Sequence, residues 1–138
     1  MIAYVDTSAL LRIVLREAGA LVDLRTYDGL VSSELIAVES ARTIDRLRNQ
    51  GELTMEEATQ RIAVANEWLE AVDLVLLRPS VLSRASEPMP MPVSTLDAIH
   101  LATALIWRER LGALPQMVTH DAALGAAARA FGFDVRGA

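Results

Sequence analysis

Five short apolar runs, each separated from the next by helix-length sequence, restrict the fold more than any other feature. Residues 2–5, 29–32, 73–77, 116–119 and 133–135 are brief and largely aliphatic, as buried strands are. Between them the sequence takes a helical period. Residues 9–17 read as a helix opened by Asp6-Thr7-Ser8 and closed by Gly19. Residues 21–26 read as a short helix. Residues 35–50 form a longer one, with Ser33 as its cap and Gly51 as its stop. Thr54 and Glu57 make a capping box for a helix reaching residue 71. Together the last two form a helical hairpin with its tip at 49–53. Pro79 opens a short helix, 97–111 is a long helix apolar on nearly every side, and 121–131 is an Ala-rich helix. Strands alternating with helices predict a parallel sheet covered on both faces. A length of 138 residues predicts a single domain, 1–138.

In such a sheet, ligands are met at the carboxyl ends of the strands. Four acids fall there. Asp6 ends the first strand, Asp121 follows the fourth by two residues, Asp97 opens the long helix, and Glu39 lies in the first turns of the helix after the second strand. Each has an ordinary alternative. Asp6 reads equally as a turn or cap residue, Asp121 as an N-cap, and Asp97 as an acid favoured in a first helical turn. Glu39 is harder to dismiss, because its neighbours Ile36, Val38 and Ala41 are apolar. Four carboxylates gathered in one crevice repel one another and call for a cation. An all-oxygen donor set suits Mg²⁺ or Mn²⁺ rather than zinc.

These residues also carry a family resemblance. Tyr4-Val5-Asp6-Thr7-Ser8-Ala9-Leu10-Leu11 resembles the opening of the PIN-domain ribonucleases. Ser33-Glu34-Leu35-Ile36-Ala37-Val38-Glu39 resembles their glutamate helix, and Thr95-Leu96-Asp97-Ala98-Ile99-His100-Leu101-Ala102-Thr103-Ala104 their central signature. Val118-Thr119-His120-Asp121 resembles their last acidic motif. The order and spacing look most like the VapC toxins of bacterial VapBC toxin–antitoxin pairs. The resemblance implies a PIN-like three-layer α/β/α sandwich, with a parallel sheet of about five strands and a protruding helical hairpin. It places the metal-site and catalytic acids at Asp6, Glu39, Asp97 and Asp121, with the hydroxyls of Ser8 and Thr119 orienting them.

The implied activity is that of an endoribonuclease toxin. It would use Mg²⁺ (or Mn²⁺) to activate water, cut structured RNA (tRNA or rRNA) and inhibit translation. A VapB-type antitoxin would neutralise it. The implied assembly is a homodimer, or a heterotetramer or larger with the antitoxin, with no membrane partner. Many relatives carry a basic residue just before the Asp97 motif; here it is Ser94, after the proline segment at 88–92.

Phosphate contacts must come from arginine, since all 13 basic residues are arginine and lysine is absent. Arg42 and Arg46 lie three and seven residues past Glu39 on one helical face, and Arg12 and Arg16 share another. Arg42, Arg46 and Arg12 are the candidate RNA contacts; the alternative for Arg42 is an ion pair with Asp45. His100 reads as a packed, hydrogen-bonded histidine, and Trp68 and Trp107 as core or interface rather than base-stacking platforms. The hairpin's apolar positions are candidate interface.

Composition removes several other classes. No cysteine means no disulfide and no thiolate metal site. No lysine excludes Schiff-base, P-loop and receiver-domain chemistry. A phosphatase or phosphotransfer domain built on Asp6 lacks the second acid two residues on, where Ser8 stands. A catalytically inactive PIN-like binding module is the non-enzymatic alternative, and the presence of all four acids counts against it. The amino terminus lacks a basic signal-peptide region and no apolar run is long enough to span a bilayer, so a cytoplasmic protein is expected. The net charge of −5 argues at first against RNA. Without the four crevice acids the balance is 13 basic to 14 acidic, so RNA engagement is expected to depend on metal.

Overall fold

The computed structural model describes all 138 residues. Five parallel strands form one sheet in the order β3-β2-β1-β4-β5. They are β1 (Ile2–Val5), β2 (Gly29–Ser33), β3 (Val72–Val75), β4 (Gln116–Val118) and β5 (Val135–Arg136). The helices are α1 (Thr7–Val14), α2 (Leu35–Asn49), α3 (Met55–Glu70), α4 (Pro79–Ala85), α5 (Thr95–Leu111) and α6 (Ala122–Ala130), with a 3₁₀ turn at Val22–Thr26.

The two faces of the sheet follow from the two-residue period of a strand. Ala3, Val5 and Leu30 point to one face, where they pack with Leu10, Val14, Ile36, Ile44 and Trp68 from α1, α2 and α3. Tyr4, Val31 and Met117 point to the other, against Leu101, Leu105 and Leu124 from α5 and α6. The result is the expected three-layer sandwich, with the α2–α3 hairpin closing one side. Thr54 and Glu57 form the expected capping box. Trp68 is buried, with the Arg25 guanidinium 4.4 Å from its ring centre.

Several boundaries differ from the sequence expectation. Asp6 itself is the N-cap of α1, accepting from the Ala9 N–H, so the helix starts at Thr7. It stops at Val14, and Arg16 takes a positive φ of 56°. Arg16 therefore leaves the helical face expected to carry it with Arg12. Ser33 stays in β2, although its hydroxyl accepts from the Leu35 N–H as a cap would. β3 ends at Val75 because Glu34 intervenes: its N–H donates to the Val75 carbonyl and its carboxylate accepts from the Leu77 N–H. β5 lies two residues later than its expected start. Phe133 is buried with α6, and ladder pairing begins with the Asp134 carbonyl.

Candidate active site at the carboxyl ends of β1 and β4

Strand order reverses across β1 and β4, the place where an open parallel sheet leaves a crevice. Asp6 leaves β1 there and Asp121 follows β4. Asp6 is buried, and its Oδ1 accepts from Ser8 Oγ at 2.7 Å and from the Ala9 N–H at 3.2 Å. Ser8 also ties the two strand ends together. Its Oγ accepts from the His120 N–H at 2.9 Å and lies 3.3 Å from Thr119 Oγ1. Thr119 Oγ1 in turn accepts from the Asp121 N–H, and Asp121 caps α6 through the Leu124 N–H. Both hydroxyls singled out in the sequence thus stand among the acids.

Asp97 sits in the first turn of α5, after the cap Ser94. Burial pushes its carboxyl above the usual range, and the nearby charges of Asp121 and Asp6 push it further. Burial likewise raises the Asp6 carboxyl, against the opposing pull of Ser8, His100 and the Ala9 N–H. Asp97 therefore feels the charges of both Asp121 and Asp6. None of the three makes an ion pair with a protein cation; the ion pairs of the molecule lie elsewhere. As placed, no three acidic or imidazole groups stand close enough to hold one ion together. Mutual repulsion acts to keep these carboxylates apart.

Glu39 reaches the crevice by a different route. Its Oε1 meets His100 Nε2 at 2.7 Å and accepts from Thr7 Oγ1 at 2.8 Å. His100 is buried on α5, and its Nδ1 meets the Tyr4 hydroxyl at 2.8 Å. The Tyr4 hydroxyl also accepts from the Ser33 N–H at 3.2 Å. Nε2–H donating to Glu39 leaves Nδ1 to accept from Tyr4, which places one proton in each bond. Burial acts to raise the Glu39 carboxyl, but the hydrogen bonds from His100 and the Thr7 hydroxyl outweigh it, so the carboxyl sits below its usual value. Burial holds the Tyr4 hydroxyl well above its ordinary value and therefore protonated.

His100 is thus packed and hydrogen-bonded, as expected, but its partner is a candidate site acid. Tyr4 and Thr7 were not anticipated as parts of the site. The spacing held a clue: His100 is one helical turn past Asp97, so both project to one side of α5.

The arginines are divided. Arg42 pairs with Asp45 at 3.1 Å, as the ordinary alternative held, and Asp45 is shared with Arg48. Arg12 lies in the last turn of α1, away from the Asp6 end, near Glu17 at 3.8 Å. Arg46 is exposed and makes no ion pair. A cavity of about 800 Å³ lies between α4, the proline segment and the start of α5. It is mainly apolar and holds none of the four acids. No helix is long and apolar enough to cross a membrane.

Comparison with known proteins identifies the family. The family model "PIN domain" matches residues 3–130. The chain is 35% identical over 136 residues to Ribonuclease VapC46 of Mycobacterium tuberculosis (strain ATCC 25618 / H37Rv), spanning 96% of this chain and 94% of that protein. It is 31% identical over 138 residues to Ribonuclease VapC47 of M. tuberculosis (strain CDC 1551 / Oshkosh), spanning 94% and 92%. The fold also matches the crystal structure of VapBC2 from Rickettsia felis bound to a DNA fragment from their promoter. That match has a TM-score of 0.68 at 9% identity, over 99% of this chain and 98% of the other. The chain belongs to the PIN-domain family, and within it to the VapC type.

Proposed function

We propose that the protein is a metal-dependent endoribonuclease, the toxin of a VapBC-type pair. One observation carries the reading: the Asp97 carboxyl at the start of α5 is pushed up by burial and by the charges of Asp121 and Asp6 at the ends of β4 and β1, and none of these three acids makes an ion pair. The two named ribonuclease relatives, similar over nearly the whole chain, support it.

Asp6, Glu39, Asp97 and Asp121 would hold Mg²⁺ or Mn²⁺. The oxygen-only donor set fits such an ion, and a divalent charge would lower the raised carboxyls of Asp6 and Asp97 again. When bound, the ion supplies Lewis-acid activation of water and neutralises charge on the phosphodiester. The chain's own groups do the positioning. Ser8 fixes Asp6 Oδ1 and the strand ends, Thr119 fixes the backbone of Asp121, and His100 with Thr7 fixes Glu39. Arg42, Arg46 and Arg12 are the candidate phosphate contacts; Arg46, which has no competing acid, is the first of these.

The substrate is structured RNA (tRNA or rRNA), and its cleavage inhibits translation. A VapB-type antitoxin neutralises the enzyme, which acts in the cytoplasm as a homodimer. Purified protein incubated with total RNA tests this. Cleavage should appear with Mg²⁺ or Mn²⁺ and stop with EDTA. Cleavage that persists undiminished in EDTA would overturn the metal assignment.

A further inference from the structure

A groove of about 410 Å³ opens beside Glu39, between one face of α2 and the first turn of α5. Its walls include Val38, Glu39, Arg42, Thr43, Arg46 and Leu96. The α2 positions 38, 39, 42, 43 and 46 repeat at three and four residues, so one helical face lines the groove lengthwise. Two large apolar side chains stand open to it: Val38 is 52% exposed and Leu96 is 45% exposed. Each is the immediate sequence neighbour of a site acid, Glu39 and Asp97. The far end is cationic. Arg42 is 69% exposed and held only by Asp45, and Arg46 is unpaired.

Along α2 the groove passes from apolar Val38, with Leu96 opposite on α5, through the acid Glu39 to the cations Arg42 and Arg46. We propose that this groove is a nucleotide subsite that seats one unstacked residue of the RNA next to the scissile phosphate. Its base lies on Val38 and Leu96, and its outer phosphate is gripped by Arg46 with help from Arg42. This rests on the ribonuclease reading above and deepens it. The volume falls in the range of small-ligand sites, roughly 300–1,000 Å³. The base face is apolar and needs an apolar platform, while the phosphate needs a cation that no acid already occupies. A base paired within a helix cannot enter such a groove. The preferred target is therefore a loop or single-stranded nucleotide rather than a duplex.

The test uses the full-length protein and a 5′-labelled hairpin RNA containing a cut site mapped with wild type in total tRNA. Val38→Ser with Leu96→Ser, and separately Arg46→Ala, should each raise KM about tenfold while kcat at saturation holds. All three side chains are exposed, so melting temperatures should stay near wild type. Leu96→Met alone, which keeps an apolar platform, should leave KM at the wild-type value. An abasic scan of the hairpin should find one position beside the cut where wild type loses about tenfold, and where the Val38→Ser/Leu96→Ser variant loses nothing more.

A wild-type KM in the serine variant, or an additive loss at that abasic position, would overturn the subsite and leave the ribonuclease reading standing. So would unchanged RNA kinetics with lost binding to the antitoxin, which would make the groove a protein-binding face. Failure of wild type to cut any RNA with Mg²⁺ or Mn²⁺ would overturn both.

Discussion

His100 Nε2 lies 2.7 Å from Glu39 Oε1, and this contact joins α5 to α2 across the carboxyl end of β1. The imidazole is buried, and its other nitrogen is held by Tyr4 from within β1. The contact fixes the position of an acid that the second strand and its helix alone would leave one flexible side chain from the other three.

Removing the imidazole should therefore release Glu39 electrically as well as mechanically. In His100→Ala the Glu39 carboxyl loses its main ionising partner while burial remains, so its pKa should rise. A ¹³C NMR titration of the side-chain carboxyls reads this directly. The same variant strands the Tyr4 hydroxyl and leaves a cavity, a loss of about 2–4 kcal/mol in denaturant unfolding. An unmoved Glu39 titration would show that the contact does not tune the acid.

Ser8 is a second joint. Its hydroxyl donates to Asp6 and accepts from the His120 N–H, so Ser8→Ala removes a partner from each strand end at once. Cleavage should fall roughly 10–100-fold, as for lost groups that orient metal ligands. Stability should fall by about 1–2 kcal/mol. Full activity in Ser8→Ala would remove it from the site.

Asp6 predicts the opposite stability effect. Asn keeps the capping oxygen that accepts from Ala9 but carries no buried charge. In EDTA near pH 7, Asp6→Asn should be more stable than wild type by about 1 kcal/mol, roughly 3–5 °C in Tm, while cleavage is lost. Destabilisation by a similar amount would contradict the raised carboxyl.

The same shifts set a pH dependence. Folded-state values for Asp6 and Asp97 are raised above 3.8, so the stability they contribute is complete below that pH and lost as pH rises through the folded values. Glu39 is lowered from 4.5, so its contribution is present above that pH and lost as pH falls through its folded value. In EDTA, the gain in Tm as pH is lowered from neutral toward 3.8 should be larger for wild type than for Asp6→Asn. Equal gains would contradict the raised Asp6 carboxyl. Saturating Mn²⁺ should flatten the wild-type profile, because a bound cation favours the ionised acids.

The sequence made the layers and the four acids legible because both depend on local pattern. Apolar runs, caps and the acids after strands 1 and 4 can be read one segment at a time. Glu34 could not be read this way. Its carboxylate takes the Leu77 N–H and so ends β3 early, a contact between residues 43 apart. Tyr4 looked like one more strand residue, and only the meeting of β1 with α5 turns its hydroxyl toward His100. The short reach of α1 was equally hidden, since the positive φ of Arg16 has no glycine to announce it. What escaped the sequence was chiefly side-chain contact between distant segments.

The central claim is that Asp6 and Asp97 form a metal-dependent RNA-cleaving centre. Mapping new 5′ ends in cellular RNA after brief induction, for wild type against Asp6→Asn and Asp97→Asn, tests it most directly. The account predicts a small set of strong new ends in tRNA or rRNA with wild type and none with either variant. The same ends at undiminished strength in the variants would contradict it.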